Sequence, residues 1–320
     1  MNDLLIHLLM FIISCLILVT AGSLLVKFLS KIASFLRVSE FVAAFILMAV
    51  ATTLPELFVG ISSALNNNTA LALGTVLGSN IANLTLIMGL PILLVKGIKI
   101  KREGIKKDAL YMLFIMAFPL VLMWIGRSIS RIDGILLIGV FVLHSWRMLR
   151  SRKKFRKKVK NNIKRGEIVI TIFLFIVFVA VLFLSSKFVV KYATMLSIDL
   201  FLPPIMIGLF LVAIGTSLPE LVFGTGAVLK GHSEMSVGNV LGANIANSSL
   251  ILGVVALITP ITGQFLLFFI SAIFMMMAGF LFVTFIESEK KLDWMEGISL
   301  LLLYIFFIAI QFYITSIIKI

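Results

Sequence analysis

The chain repeats itself. Residues 49–65 read AVATTLPELFVGISSAL and residues 213–229 read AIGTSLPELVFGTGAVL; residues 74–90 read GTVLGSNIANLTLIMGL and 238–254 read GNVLGANIANSSLILGV. Glu56 and Glu220 are 164 positions apart, as are Asn83 and Asn247, with no gap between the two stretches. The same offset pairs Lys27 with Lys191. Chance similarity between greasy segments would match Leu to Ile. Here Thr, Pro, Glu, Asn and Gly match, so the period is architectural.

The repeat lies in a chain that is 61% hydrophobic over 320 residues and only 13% charged, where soluble domains are about 45–50% apolar. The excess runs along the whole length, which predicts an all-α integral membrane protein rather than a soluble domain with an anchor. Runs long enough to span a bilayer fall near 4–26, 40–65, 71–95, 108–126, 132–149, 167–187, 202–229, 237–259, 264–286 and 295–317. Trp124, Trp146 and Trp294 fall at span ends, where amphipathic rings favour the headgroup region. The first run has no basic segment before it, so it reads as a retained helix rather than a signal peptide.

Basic residues set the orientation. Ser145 to Arg165 holds eleven Lys and Arg, which places the linker 150–166 in the cytoplasm and, with ten spans, both termini outside. The linkers then inside hold three, six, eleven, one and two Lys and Arg, 23 in all, against five outside (Arg127, Arg131, Lys187, Lys191 and Lys319). The net charge of +14 is therefore topological, and nucleic-acid binding is excluded. A five-span unit is odd, so its second copy enters the membrane from the opposite side. The expected domains are a first inverted repeat over 1–149 with its motif region at 41–94, the basic linker, and a second repeat over 167–320 with its motif region at 205–258. Inverted repeats of this kind mark secondary transporters, with the site at the repeat interface near the midplane.

The motifs carry oxygen chemistry. A carboxylate near the bilayer centre costs about 2.5–3.5 kcal/mol on insertion scales, and here two occur in symmetry, Glu56 and Glu220. Pro55 and Pro219 each remove a helical N–H, which frees carbonyls around Ala49, Ala51, Ala213 and Gly215. Thr52, Thr53, Thr216 and Ser217 add hydroxyls within about one turn. Asn83 and Asn247 share a helix face with Ser79 and Ala243, whereas Asn80 and Asn244 are turned away and read as packing residues. Gly74 with Gly78, and Gly238 with Gly242, form small-residue pairs suited to close helix contact. Carboxylates, hydroxyls, amides and carbonyls suit a hard cation. Ca²⁺ tolerates six to eight irregularly placed oxygens better than Mg²⁺ does, and no His or Cys stands near to favour zinc, copper or iron. His7, His144 and His232 receive no role. The single cysteine, Cys15, permits no internal disulfide.

No nucleophile–base pair or metalloprotease motif occurs in the spans, so the chain is not read as an enzyme and needs no cofactor. A passive cation channel would line its pore with acidic rings, which one glutamate per inverted repeat fits poorly. No obligate protein partner is expected. The linker 287–296 (ESEKKLDWME) reads as a solvated loop.

At these residues the sequence resembles the calcium/cation antiporter superfamily and, within it, the sodium/calcium exchangers of prokaryotic type. The resemblance covers the ten-span plan and is strongest at 41–94 and 205–258. It implies exchange of several Na⁺ for one Ca²⁺, by sliding of the first and sixth spans past the core. The implied calcium site uses Glu56, Glu220, Thr52 and Thr216. The implied sodium sites add Ala49, Thr53, Ser79, Ala213 and Ser217, with Asn83 at the middle. Three positions depart from the pattern: Ala51 replaces a Gly, Ala243 stands where a Ser is usual, and Asn247 stands where the sodium-coupled exchangers commonly carry Asp. Proton-coupled relatives also lack that Asp, so calcium/proton exchange is the alternative.

Overall fold

The computed structural model describes residues 2–35, 51–100, 103–151, 165–262, 265–289 and 291–318. In chain order the helices are α1 (Asn2–Phe35), α2 (Leu54–Leu65), α3 (Thr69–Leu94), α4 (Glu103–Gly126), α5 (Arg131–Ser151), α6 (Arg165–Asp199), α7 (Pro204–Thr216), α8 (Leu218–Leu229), α9 (Ser233–Ile258), α10 (Phe265–Glu289) and α11 (Trp294–Ile318). Among the described residues seven helices are long and apolar enough to cross a membrane, and the pair α7–α8, bent by 42°, makes an eighth. The protein is an all-α, multi-spanning membrane protein. The predicted span 40–65 begins outside the described residues, as does most of the basic linker.

Several helices outrun the apolar segments that announce them. α1 continues nine residues past the predicted end at 26, and α6 continues to Asp199 where 187 was expected. Hydropathy reads only the part that needs lipid. The added turns of α6 are held by packing, since Val189, Val190, Ala193 and Leu196 are buried in the core that α6 shares with α1.

The helix bounds 54–65 recur at 218–229, and the last turns of α3 and α9 recur at 88–94 and 252–258. Both α3 and α9 widen into a π-helical stretch near the middle, at Asn83–Ile87 and Ala246–Ile251. Such bulges usually mark functional positions.

The connecting segments were not foreseen in full. Gly97–Lys99 (β1) pairs antiparallel with Lys291–Asp293 (β2), so the linker read as a solvated loop contributes a short strand. Ile129 bridges Ile261 in the same sense. These contacts obey the sequence period as well: Gly97↔Asp293 becomes Ile261↔Ile129 when the first partner is advanced by 164 and the second moved back by 164.

Two cores result. The larger joins α3, α4, α9, α10 and α11 around residues such as Leu77, Met88, Met112, Phe282 and Phe307. The smaller is built from Leu18, Leu25, Leu182, Val189 and Ala193 of α1 and α6, and touches the rest through Val59, Leu71, Ile207 and Val212. α3 and α7 cross at close quarters. A Cβ on Gly74 would strike the Ile205 carbonyl and one on Gly78 the Leu209 carbonyl, which explains the small-residue pair. His7, given no role from sequence, contacts Asp199 at 2.6 Å and ties the start of α1 to the end of α6.

Candidate ion-binding site

Both T-[TS]-L-P-E motifs break a helix in the same way. Thr53 has φ −86 and ψ 4, and Ser217 has φ −83 and ψ 3. The following proline sits in the first turn of the resumed helix, where a missing N–H costs nothing. It leaves the carbonyls of Ala51 and Gly215 without their usual partner four residues on. The helix then closes again at once, through Leu57 N–H to Thr53 at 3.0 Å and Leu221 N–H to Ser217 at 3.2 Å. Glu56 and Glu220 therefore stand in the first turn of α2 and α8, where the helix end carries partial positive charge.

The described site residues are all sealed from solvent. Thr52, Thr53, Glu56, Ser79, Asn83, Ala213, Thr216, Ser217, Glu220 and Asn247 are each at most 2% exposed. Ala49 lies outside the described residues. Glu56 Oε1 accepts from Ser217 Oγ at 3.3 Å and from Ser79 Oγ at 3.5 Å, so the first motif meets the second directly. Glu56 Oε2 and both oxygens of Glu220 have no hydrogen-bond partner among the described residues, and neither do Asn83 Oδ1 and Asn247 Oδ1. Five buried acceptor oxygens thus belong to four residues that the repeat relates in pairs. Buried acceptors without donors are costly, and a hard cation is the species that satisfies many at once.

Two of the site hydroxyls also bond outside it. Thr216 donates back to the carbonyls of Val212 at 3.1 Å and Ala213 at 3.3 Å, and Thr52 donates to Asn239 Oδ1 at 3.3 Å. A donating hydroxyl keeps its lone pairs, so both can still face a cation. The Ala213 carbonyl also accepts the Ser217 N–H at 3.0 Å. Asn239 and Ser248 were missed from sequence. Each is a polar residue in the second copy where the first carries Thr75 or Leu84, and comparing the copies position by position would have flagged Ser248.

One helix covers both breaks. A Cβ on Gly22 would come within 2.9 Å of Pro55, and Cys15 lies against Gly215, its Sγ 3.4 Å from a Cβ built there. Gly22 and Cys15 both belong to α1, about two turns apart.

The family model described as "Sodium/calcium exchanger protein" matches residues 6–149 and again 170–313. This chain belongs to the sodium/calcium exchanger protein family. The two matched stretches are themselves 164 residues apart at both ends. The family members it resembles include the sodium/calcium exchanger MaX1 of Methanosarcina acetivorans, 27% identical over 97% of this chain and 99% of that protein. The inner membrane protein YrbG of Escherichia coli is 32% identical over 67% of this chain and 68% of its own length. Among solved structures, the sodium-calcium exchanger NCX_Mj soaked with Na⁺ and Sr²⁺ superposes with a TM-score of 0.68 at 25% identity, over 96% of this chain and 98% of that one.

Proposed function

We propose that this chain is a secondary active antiporter that exchanges Ca²⁺ for Na⁺ across a membrane by alternating access. The observation that carries the reading is the pair of buried carboxylates, Glu56 and Glu220, which stand at matched helix breaks and have three of their four oxygens without a hydrogen-bond partner among the described residues. Two negative charges in a dry interior repel each other unless a cation joins them, and one divalent ion balances both. The calcium ligands are Glu56, Glu220, Thr52 and Thr216. Ala49, Ala213, Thr53, Ser217, Ser79, Asn83 and Asn247 supply the oxygens around them that Na⁺ shares.

The architecture we propose is ten spans in two inverted repeats, 1–149 and 167–320, with the basic linker 150–166 in the cytoplasm and both termini outside. The recurrence of helix bounds, π-helical stretches and strand contacts at one offset supports it. α1 and α6 are the moving elements. They share a core of their own, are tied by His7 and Asp199, and α1 overlies both helix breaks. Shifting this pair uncovers the site from one side or the other while the crossed core stays fixed.

Proton coupling is the second reading, favoured by Asn247, a neutral amide at the central position. Radiolabelled Ca²⁺ uptake into proteoliposomes separates the two. An outward Na⁺ gradient drives uptake under the sodium reading. Uptake indifferent to Na⁺ but driven by a pH gradient supports the proton reading, and uptake without any counter-ion gradient refutes both.

A further inference from the structure

The central amides do not keep the symmetry of their sequence. Asn83 Nδ2 donates to Asn244 Oδ1 at 3.0 Å, and Asn244 Nδ2 in turn donates to Met112 Sδ at 3.6 Å. This chain of contacts fixes the Asn83 amide with Oδ1 left for the site. The repeat carries Asn83 onto Asn247 and Asn244 onto Asn80, so the mirror arrangement is Asn247 Nδ2 donating to Asn80 Oδ1. Asn80 does donate to a methionine sulfur, Met275 Sδ, at 3.4 Å, although the counterpart of Met112 under the repeat is the neighbouring Met276. The bond itself is not made. Asn247 Nδ2 and Asn80 Oδ1, the one donor and one acceptor that would form it, are both buried without a partner among the described residues.

What holds Asn80 instead is Ser248, whose Oγ accepts from Asn80 Nδ2 at 2.7 Å. Ser248 is the residue beside Asn247. Its counterpart in the first copy is Leu84, which offers no hydroxyl, so nothing of the kind competes for Asn244. A buried donor and a complementary buried acceptor are costly to leave apart. A protein built from inverted repeats has a second conformation in which the two halves exchange roles. Side-chain rotation alone, with the crossed helices in place, would close the open bond and open the closed one.

We propose that Asn83–Asn244 and Asn247–Asn80 are alternative amide latches, one for each side of the transport cycle, and that Ser248 biases the equilibrium toward the present state by holding Asn80. The proposal rests on the antiporter reading. Asn244 and Asn80 are positioning residues: they act on the ion through Asn83 and Asn247, whose Oδ1 atoms are the free acceptors. An amide at 247 is required for the second latch, because a carboxylate has no N–H to give.

The test is the ratio of apparent Ca²⁺ affinities at the two membrane faces, measured in right-side-out and inside-out vesicles. Biasing a two-state equilibrium moves the two affinities in opposite directions, whereas a merely structural defect lowers both together. Ser248→Ala and Asn244→Ala each weaken the present state and shift the ratio in one shared direction, by about 3- to 10-fold for a buried neutral hydrogen bond. Asn247→Asp disables the other latch and shifts it the opposite way. Ser248→Ala removes a single hydroxyl and decides the matter with Asn247→Asp if Asn244→Ala fails to fold. An unchanged ratio in Ser248→Ala, or a shift of the same sign in Asn247→Asp, overturns the latch while wild-type Na⁺-driven uptake persists. Absence of that uptake in the wild type overturns the antiporter reading itself, and the latch with it.

Discussion

The two halves of the site have the same backbone and different side chains. Thr53 and Ser217 break their helices at nearly identical angles, and Glu56 and Glu220 occupy the same turn of the resumed helices α2 and α8. Yet Glu56 has two hydroxyls against it, from Ser79 and Ser217, while both oxygens of Glu220 have no hydrogen-bond partner among the described residues. The position that could mirror Ser79 is Ala243. Duplication therefore supplies the scaffold and the charge twice, whereas the neutral ligands are free to diverge. Charge in a dry interior must be balanced, so both carboxylates are under the same constraint. A neutral hydroxyl is a modest, local contribution and can be lost from one side.

The largest effect belongs to the shared feature. Glu56→Gln and Glu220→Gln each lower Ca²⁺ turnover by about 100-fold or more, the scale of losing one partner of a buried charged interaction, measured as tracer uptake at matched protein density. A variant that keeps its activity would show that the halves are unequal in charge as well as in neutral ligands.

The scaffold comes next. Gly78→Ala puts a methyl against the Leu209 carbonyl and Ala213 and destabilises the fold by about 1–3 kcal/mol, as overpacking does. Gly139 has nothing within 4 Å of its Cβ position, and Gly139→Ala stabilises by up to about 1 kcal/mol through helix propensity. Thermal unfolding in detergent reads both, and equal responses would contradict the close α3–α7 crossing.

The diverged ligands give a smaller effect. Ser79→Ala weakens the apparent Na⁺ affinity by about 3- to 10-fold, and Ala243→Ser strengthens it by a similar factor. Na⁺ dependence of uptake reports both, and a null result for Ala243→Ser would mean that the second half places no cation beside that position.

The smallest effect is at the rim. His7 and Asp199 are each 23% exposed, so His7→Ala lowers the unfolding free energy by less than about 1 kcal/mol. A larger loss would show that the tie carries more of the α1–α6 pairing than their shared apolar core.

Much of this was legible in the sequence because proline, glutamate and glycine act locally. Pro55 and Pro219 dictate where the helices break, and Gly74 and Gly78 mark a close crossing whatever the partner is. The asymmetric amides were not legible. Whether Asn83 bonds to Asn244, and Asn80 to Ser248, depends on how two helices cross and on which rotamers remain, and helical spacing alone turned Asn80 and Asn244 into bystanders. The β1–β2 contact was hidden for a different reason, since three-residue strands carry no readable period. That α1 overlies both breaks was also invisible, because Gly22 and Cys15 look like ordinary residues of a greasy helix until their neighbours are known.

Calorimetric titration of Ca²⁺ into the purified protein, in detergent and without Na⁺, tests most directly whether the two glutamates form one site. One Ca²⁺ should bind per chain, and either Glu56→Gln or Glu220→Gln alone should remove it. Two ions per chain, or full binding retained by either single variant, would mean that the repeats carry separate sites and that the shared one does not exist.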